Sequence, residues 1–217
     1  MGRSGPDHFN LYTYWYTLTV IDEKKGPARE RLLRATAELI YTRGIEATGV
    51  DAIAASAGVT KRTLYQHFRS KDDLVGAALA ASDGAVMAAL RAAVQRRIAK
   101  GERPIEALFA HLERLAALPA FHGCAFLNAG LEMREPDHPV RSPVRSHTDA
   151  RRALVEELAR ADGVTDELTI DALSLLVEGA FALSASRRDP SVVARAAQAA
   201  HGLVQRALRG RDDRYSY

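Results

Sequence analysis

Residues 57–74, AGVTKRTLYQHFRSKDDL, decide how the rest of the chain is read. Ala57-Gly58-Val59 spells a tight turn, with Gly58 as the residue that enters a left-handed backbone at little steric strain. Thr60 is spaced as the N-cap of a helix that begins at Lys61. Within that helix Leu64 and Phe68 stand at i, i+4 and face one side, toward a core. Ser70 is spaced to cap the following helix, with Asp73 at its third position as capping-box partner. The positions that do not face the core hold Thr60, Lys61, Arg62, Thr63, Tyr65, Gln66 and His67. From Ala57 to Lys71 every charged side chain is a cation: Lys61, Arg62, Arg69 and Lys71.

Upstream, the pattern turns helical at Ala28. Leu32, Leu33, Leu39 and Ile40 fall on one face, and Gly44 supplies a C-terminal stop. A second short helix fits Val50 to Ala57, burying Val50, Ile53 and Ala54. Helix, glycine turn, helix is the helix-turn-helix arrangement, whose second helix lies in a DNA major groove with its N-terminal residues nearest the base edges. Here that end offers Thr60, Lys61, Arg62 and Thr63, reinforced by the helix dipole. Tyr65, Gln66 and His67 follow within reach of phosphates or bases, and Lys71 is placed for a phosphate. The formal net charge of the whole chain is only +3. Any nucleic-acid surface is therefore local, and this segment is the concentrated patch.

The first helix ending in RGIEAT, the VDAIAASAGV second helix and turn, and the run TKRTLYQHFRSKDDL together resemble the DNA-binding domain of the TetR family of transcriptional regulators. The resemblance spans residues 29–75, and TLYxHF followed by SKDxL is its specific part. It implies an all-α chain with an N-terminal three-helix helix-turn-helix domain over 27–75. A larger helical ligand-binding and dimerisation domain would follow over 76–210. It further implies a homodimeric repressor on double-stranded operator DNA, released by a small-molecule inducer that shifts the spacing of the two recognition helices. Carried over residue by residue, Lys61, Arg62 and Thr63 are expected to read base edges. Thr48, Thr60, Tyr65, His67 and Lys71 are expected to position phosphates. The family often has a hydroxyl just before the second helix. Here Gly49 stands there, so that contact is lost or passed to Thr48.

The rest of the chain reads as further helices. Pro104 opens one that Pro119 ends, and Gly123–Arg134 is short and apolar. The prolines of 136–143 mark a loop or broken helix start. Val144–Ala161 is Arg-rich and amphipathic, Asp166–Arg187 is the most apolar long helix, and Pro190 begins the last. Residues 1–26 form an extension with an aromatic, β-branched run (Leu11–Ile21), read as a flexible tail or as an arm that packs on the body or reaches DNA. Residues 211–217 form a charged tail. A single cysteine, Cys124, excludes an intrachain disulfide and suits a reducing compartment. The longest uncharged run, Leu115–Leu131, is broken by Pro119, Gly123, His122 and Asn128, so no membrane span is expected. Without a secretory leader pattern, a cytoplasmic location is expected.

Within the C-terminal part, Phe109, Leu112, Phe121, Phe126 and Leu127 are candidates for an apolar pocket wall, with Cys124, Asn128 or Glu132 at its polar points. The competing reading makes 121–133 a buried helix whose polar groups cap neighbours, and the two stand even. Glu178, isolated in an apolar helix, needs a partner such as Arg152 or a ligand. Cys124 is read as inert rather than oxidant-sensing. The spacing of His111, His122, His138 and Cys124 matches no standard metal motif, so no metal site is expected. The chain carries no phosphate-binding glycine loop, GxSxG, HExxH or CxxC, which argues against an enzyme and leaves no cofactor expected. The remaining rival is a helical adaptor or ligand-binding protein of the same fold without DNA binding, against which the cation cluster speaks.

Overall fold

The computed structural model describes residues 26–212. The aromatic run at Leu11–Ile21 and the last five residues lie outside that range. Nine α-helices and no strand occur among the described residues: α1 Ala28–Arg43, α2 Val50–Ser56, α3 Lys61–His67, α4 Lys71–Ile98, α5 Pro104–Ala116, α6 Ala125–Glu132, α7 Arg141–Ala161, α8 Glu167–Arg187 and α9 Ser191–Asp212. Two compact units divide the chain. One holds the described residues through Val86 together with Ala125–Arg145; the other holds Met87–Cys124 and the residues from Ser146 onward.

The first unit is built on a core of Leu32, Leu39, Ile53, Leu64, Phe68 and Leu74, each under one-tenth exposed. All but Leu74 are positions that helical periodicity assigns to the inner faces of α1, α2 and α3; Leu74 joins them from α4. Fully burying each such side chain contributes roughly 1.5–3 kcal/mol. Helix α1 stops at Gly44, whose φ of 86° is open to glycine. Residues 125–145 complete this unit. The Glu132 carboxylate accepts hydrogen bonds from the amides of Ile45 (2.9 Å) and Glu46 (2.7 Å), just past the end of α1. Arg141 donates to the carbonyls of Gly130, Met133 and Glu135, closing the C-terminal end of α6. Helix α7 begins at Arg141 rather than Val144. Pro143 then falls in its first turn, where the missing N–H has no intrahelical acceptor to lose.

In the second unit α5, α8 and α9 pack on one another. Helix α5 has no side-chain cap of its own at Arg103. Asp162, 3% exposed, substitutes by taking the Ile105 amide (2.8 Å) and the Arg103 Nε (3.1 Å). Helix α8 is capped by Asp166, which accepts from the Thr169 amide at 2.8 Å. Against the expectation from uncharged runs, α4 and α8 are both long and apolar enough to cross a membrane by length and composition alone. Their alanine- and leucine-rich windows tolerate one or two scattered charges, which a search for uninterrupted runs passes over. Only about a third of the α8 window is buried inside the chain (33%), so much apolar surface on that helix faces outward.

Candidate nucleic-acid interface

The turn before α3 is set by backbone bonds. The Gly58 amide donates to Ala55 O (3.1 Å) and the Val59 amide to Ala54 O (2.9 Å). This is the paired closure of a helix end that needs a left-handed residue between its two donors. Gly58 fills that role with φ 61°. Thr60 then caps α3, its Oγ1 accepting from the Thr63 amide at 3.1 Å and lying 2.8 Å from the Thr63 hydroxyl. Leu64 is fully buried and Phe68 is 4% exposed. The Arg29 guanidinium sits 5.3 Å from the Phe68 ring centroid, a cation–π contact. At the start of α4 the Asp73 amide donates to Ser70 Oγ (3.0 Å). The Asp73 carboxylate accepts from the Arg69 amide (3.1 Å), one residue earlier than the expected capping box.

With Leu64 and Phe68 anchored, the rest of α3 is turned outward. Thr60, Lys61, Arg62, Gln66 and His67 are exposed, Tyr65 is 49% exposed and Thr63 is half-buried. Seven of the nine sequence-derived DNA candidates thus share one surface. Thr48 does not. It is 1% exposed, and its hydroxyl donates to Gly44 O at 2.6 Å, tying off the loop after α1. A buried, satisfied hydroxyl has no reach to a phosphate, so Thr48 does not belong to this surface. Gly49, next to it, caps α2 without a side chain, and a Cβ there would meet nothing within 4 Å. Lys71 is half-buried, with its Nζ donating to Ile45 O at 2.8 Å.

The four cations differ in what already holds them. Lys61 Nζ lies 3.2 Å from both carboxylate oxygens of Asp51. Arg69 pairs with Asp73 at 3.6 Å, and Lys71 serves the Ile45 carbonyl. Among the described residues Arg62 has no ion-pair or hydrogen-bond partner and points to solvent. Asp51 was missed by reading residues 57–71 alone; it stands ten positions before Lys61, on the preceding helix.

The candidate ligand residues fall in both units. Phe109 and Leu112 are buried at 1%, and Phe121 packs on Phe181 with ring centroids 5.2 Å apart. These belong to the second unit with Cys124 and Glu178, whereas Phe126, Leu127, Asn128 and Glu132 belong to the first. Phe126 is fully buried and Asn128 is exposed. The Glu132 carboxylate is engaged by the Ile45 and Glu46 amides. The partner of Glu178 is Arg151, not Arg152. Arg151 is 5% exposed and donates through Nε (2.6 Å) and Nη2 to the two carboxylate oxygens. Burial pulls the Arg151 pKa down, but Cys124 and Glu178 outweigh it and the net shift is upward. Arg152, one position on, turns outward to Asp171, Glu156 and Glu167. A one-residue step rotates the side chain by about 100° around a helix, enough to exchange a buried partner for a solvent-facing one. Both pairs border an open cleft of about 410 Å³ between α7 and α8, floored by Val155, Leu175 and Val177.

A family model described as "Bacterial regulatory proteins, tetR family" matches residues 32–78. The HTH-type transcriptional activator FasR of Mycolicibacterium smegmatis is 37% identical over 95 residues, which is 42% of this chain and 42% of that protein. The HTH-type transcriptional repressor KstR2 of the same organism is 43% identical over 56 residues, 25% of this chain and 27% of that one. The match therefore spans less than half the length of either curated relative. A crystal structure of a TetR-family transcriptional regulator from Streptomyces coelicolor is 33% identical with a TM-score of 0.68, covering 83% of this chain and 95% of that one.

Proposed function

The chain belongs to the TetR family of bacterial regulatory proteins, and from that premise we propose that it is a sequence-specific DNA-binding regulator acting as a homodimeric repressor on a two-fold operator. Residues 27–75 are the DNA-binding domain and 76–210 the dimerisation and ligand-binding part. Its work is binding, without catalysis, in the bacterial cytoplasm. The observation that carries this reading is Arg62: exposed, without an ion-pair or hydrogen-bond partner among the described residues, and held on a helix whose other face is locked into the core by Leu64 and Phe68. A guanidinium so presented pairs bidentately with guanine O6 and N7, worth roughly 1–3 kcal/mol of discrimination per contact. Thr60, Tyr65, Gln66 and His67 surround it as further base or phosphate contacts.

Dimerisation is supported by the outer face of α8. Leu168, Leu175 and Leu183 are 77%, 72% and 51% exposed. Leu175 also borders a groove between α8 and α9 lined by Ala172, Leu176, Ala199, Gly202 and Leu203, with Gln198 and Arg206 as its polar members. Large exposed apolar side chains lined up along a helix beside such a groove mark an association surface. A second copy seated there repeats α3 across a two-fold axis, with recognition helices about 34–36 Å apart on successive turns of DNA. A small-molecule ligand that binds another spacing more tightly releases the operator, in proportion to its preference between the two states. FasR is named an activator and KstR2 a repressor; repression is proposed from the family's usual mode.

The test is a gel shift against the duplex upstream of the protein's own coding region, over a range of salt. The expected result is selective binding that weakens steeply with salt. Arg62→Ala should lose operator binding more completely than Lys61→Ala, with the dimer intact in both. Unchanged operator affinity in the Arg62 variant overturns the proposal.

A further inference from the structure

The pair between Asp51 and Lys61 serves no evident structural need. Its side chains are 80% and 53% exposed, and ion pairs so open to water contribute little to stability. The core of the three-helix unit is complete without it. Yet it joins the second residue of α2 to the first residue of α3, on the surface that the DNA-binding reading turns toward a polyanion. A carboxylate there repels phosphate and occupies the ammonium that would otherwise neutralise one. We propose that Asp51 is an attenuator: it holds Lys61 away from phosphate and lowers the affinity of this surface for any duplex, whatever its sequence.

The inference rests on the DNA-binding reading above and refines it. Sequence-independent affinity grows with each phosphate neutralised by a lysine or arginine, whereas discrimination comes from contacts to base edges. With Lys61 engaged by Asp51, Arg69 by Asp73 and Lys71 by the Ile45 carbonyl, the surface offers fewer available charges than the four cations of the segment suggest. Arg62 keeps its full weight. The arrangement suppresses binding to bulk DNA and leaves base readout to the Arg62 guanidinium. The neutral isostere Asp51→Asn removes the carboxylate charge and frees Lys61 for a phosphate.

The experiment measures fluorescence anisotropy of a labelled duplex of random sequence against the full-length protein over a KCl series. Wild type, Asp51→Asn, Asp51→Ser, Lys61→Ala and the Asp51→Asn/Lys61→Ala double variant are compared, with folding checked by circular dichroism. One added phosphate contact steepens the log–log salt slope by about 0.9 and raises affinity about eightfold at roughly 0.1 M salt. Asp51→Asn and Asp51→Ser should both show this change. In the Lys61→Ala background Asp51→Asn should leave the slope unaltered, because the lysine it frees is gone. A wild-type slope in both Asp51 variants, or the same steepening without Lys61, overturns the attenuator. A wild-type protein that binds the duplex with no salt dependence overturns instead the DNA-binding reading on which it rests.

Discussion

Removing the Glu178 carboxylate tests whether that residue belongs to the architecture or to a ligand. In Glu178→Ala the Arg151 guanidinium stays where it is, 5% exposed between α7 and α8, and loses both acceptors of its fork. Cys124 remains beside it, but it replaces neither of the two carboxylate oxygens that the fork has lost. Breaking one side of a buried pair destabilises by about 3–5 kcal/mol. Glu178 keeps a side-chain exposure of 27%, so water reaches part of the gap and the expected loss lies at the lower end, about 3 kcal/mol. With a urea dependence of about 2 kcal/mol per molar, that is a midpoint shift of about 1.5 M.

The measurement is urea unfolding followed by far-ultraviolet circular dichroism, with no ligand added. Protein concentration is held fixed because association shifts apparent stability. The companion variant Arg151→Met/Glu178→Leu removes both charges and fills the site with apolar atoms. It should recover to within about 1 kcal/mol of wild type, since a buried pair is worth little more than its apolar replacement. A loss under about 1 kcal/mol in Glu178→Ala would refute the reasoning. It would mean the pair behaves as an exposed one and leave the carboxylate available to a ligand.

Three further outcomes follow from the same structure. Burial, followed by the nearby Arg114, Arg97 and Arg96, lowers the His111 pKa from 6.5 to about 4. Between those values the unfolded chain binds the proton and the folded one does not, so stability falls as pH drops from 6.5 toward 4, by up to about 3 kcal/mol. His111→Gln should flatten that part of the stability–pH curve, and an unchanged slope would count against the shift. Gly58→Ala should destabilise by about 1 kcal/mol through its left-handed backbone. The added Cβ meets only Arg31 Nη1 at 3.5 Å, so a loss of several kcal/mol on thermal melting would point to a steric cause that the geometry does not contain. Leu175→Glu should halve the mass seen in sedimentation, from about twice 23.6 kDa to the monomer; a dimer that persists in that variant moves the association surface off α8.

The helices themselves were legible because their signals are local. Gly44, Gly58, Thr60, Ser70 and Asp166 each mark a boundary within a few residues of the groups they satisfy, and the structure uses all five as caps or stops. Periodicity placed Leu64 and Phe68 inward for the same reason: i, i+4 spacing fixes a shared face whatever lies beyond it. The caps supplied from a distance were not legible. The carboxylate of Glu132 reaches amides 86 and 87 positions earlier, and Asp162 caps a helix that begins 58 residues before it. No window along the chain joins such groups.

The same distinction separates what was legible in the candidate surface from what was not. Exposure follows from helical phase, so the outward set of α3 could be read off once the inward pair was known. Availability does not follow from phase. Thr48 and Lys71 look as suitable as Thr60 and Arg62 in a list of hydroxyls and cations. Loop closure draws the first inside, and a backbone carbonyl claims the second. Four cations without an acid describe the segment 57–71 truthfully, and still overstate its charge toward DNA. The acids that temper it, Asp51 and Asp73, stand just outside the segment and return to it through the fold. Arg62 gains its weight by that subtraction. The other three cations of the segment are engaged by neighbours in space, and among the described residues the Arg62 guanidinium is the one left without a partner.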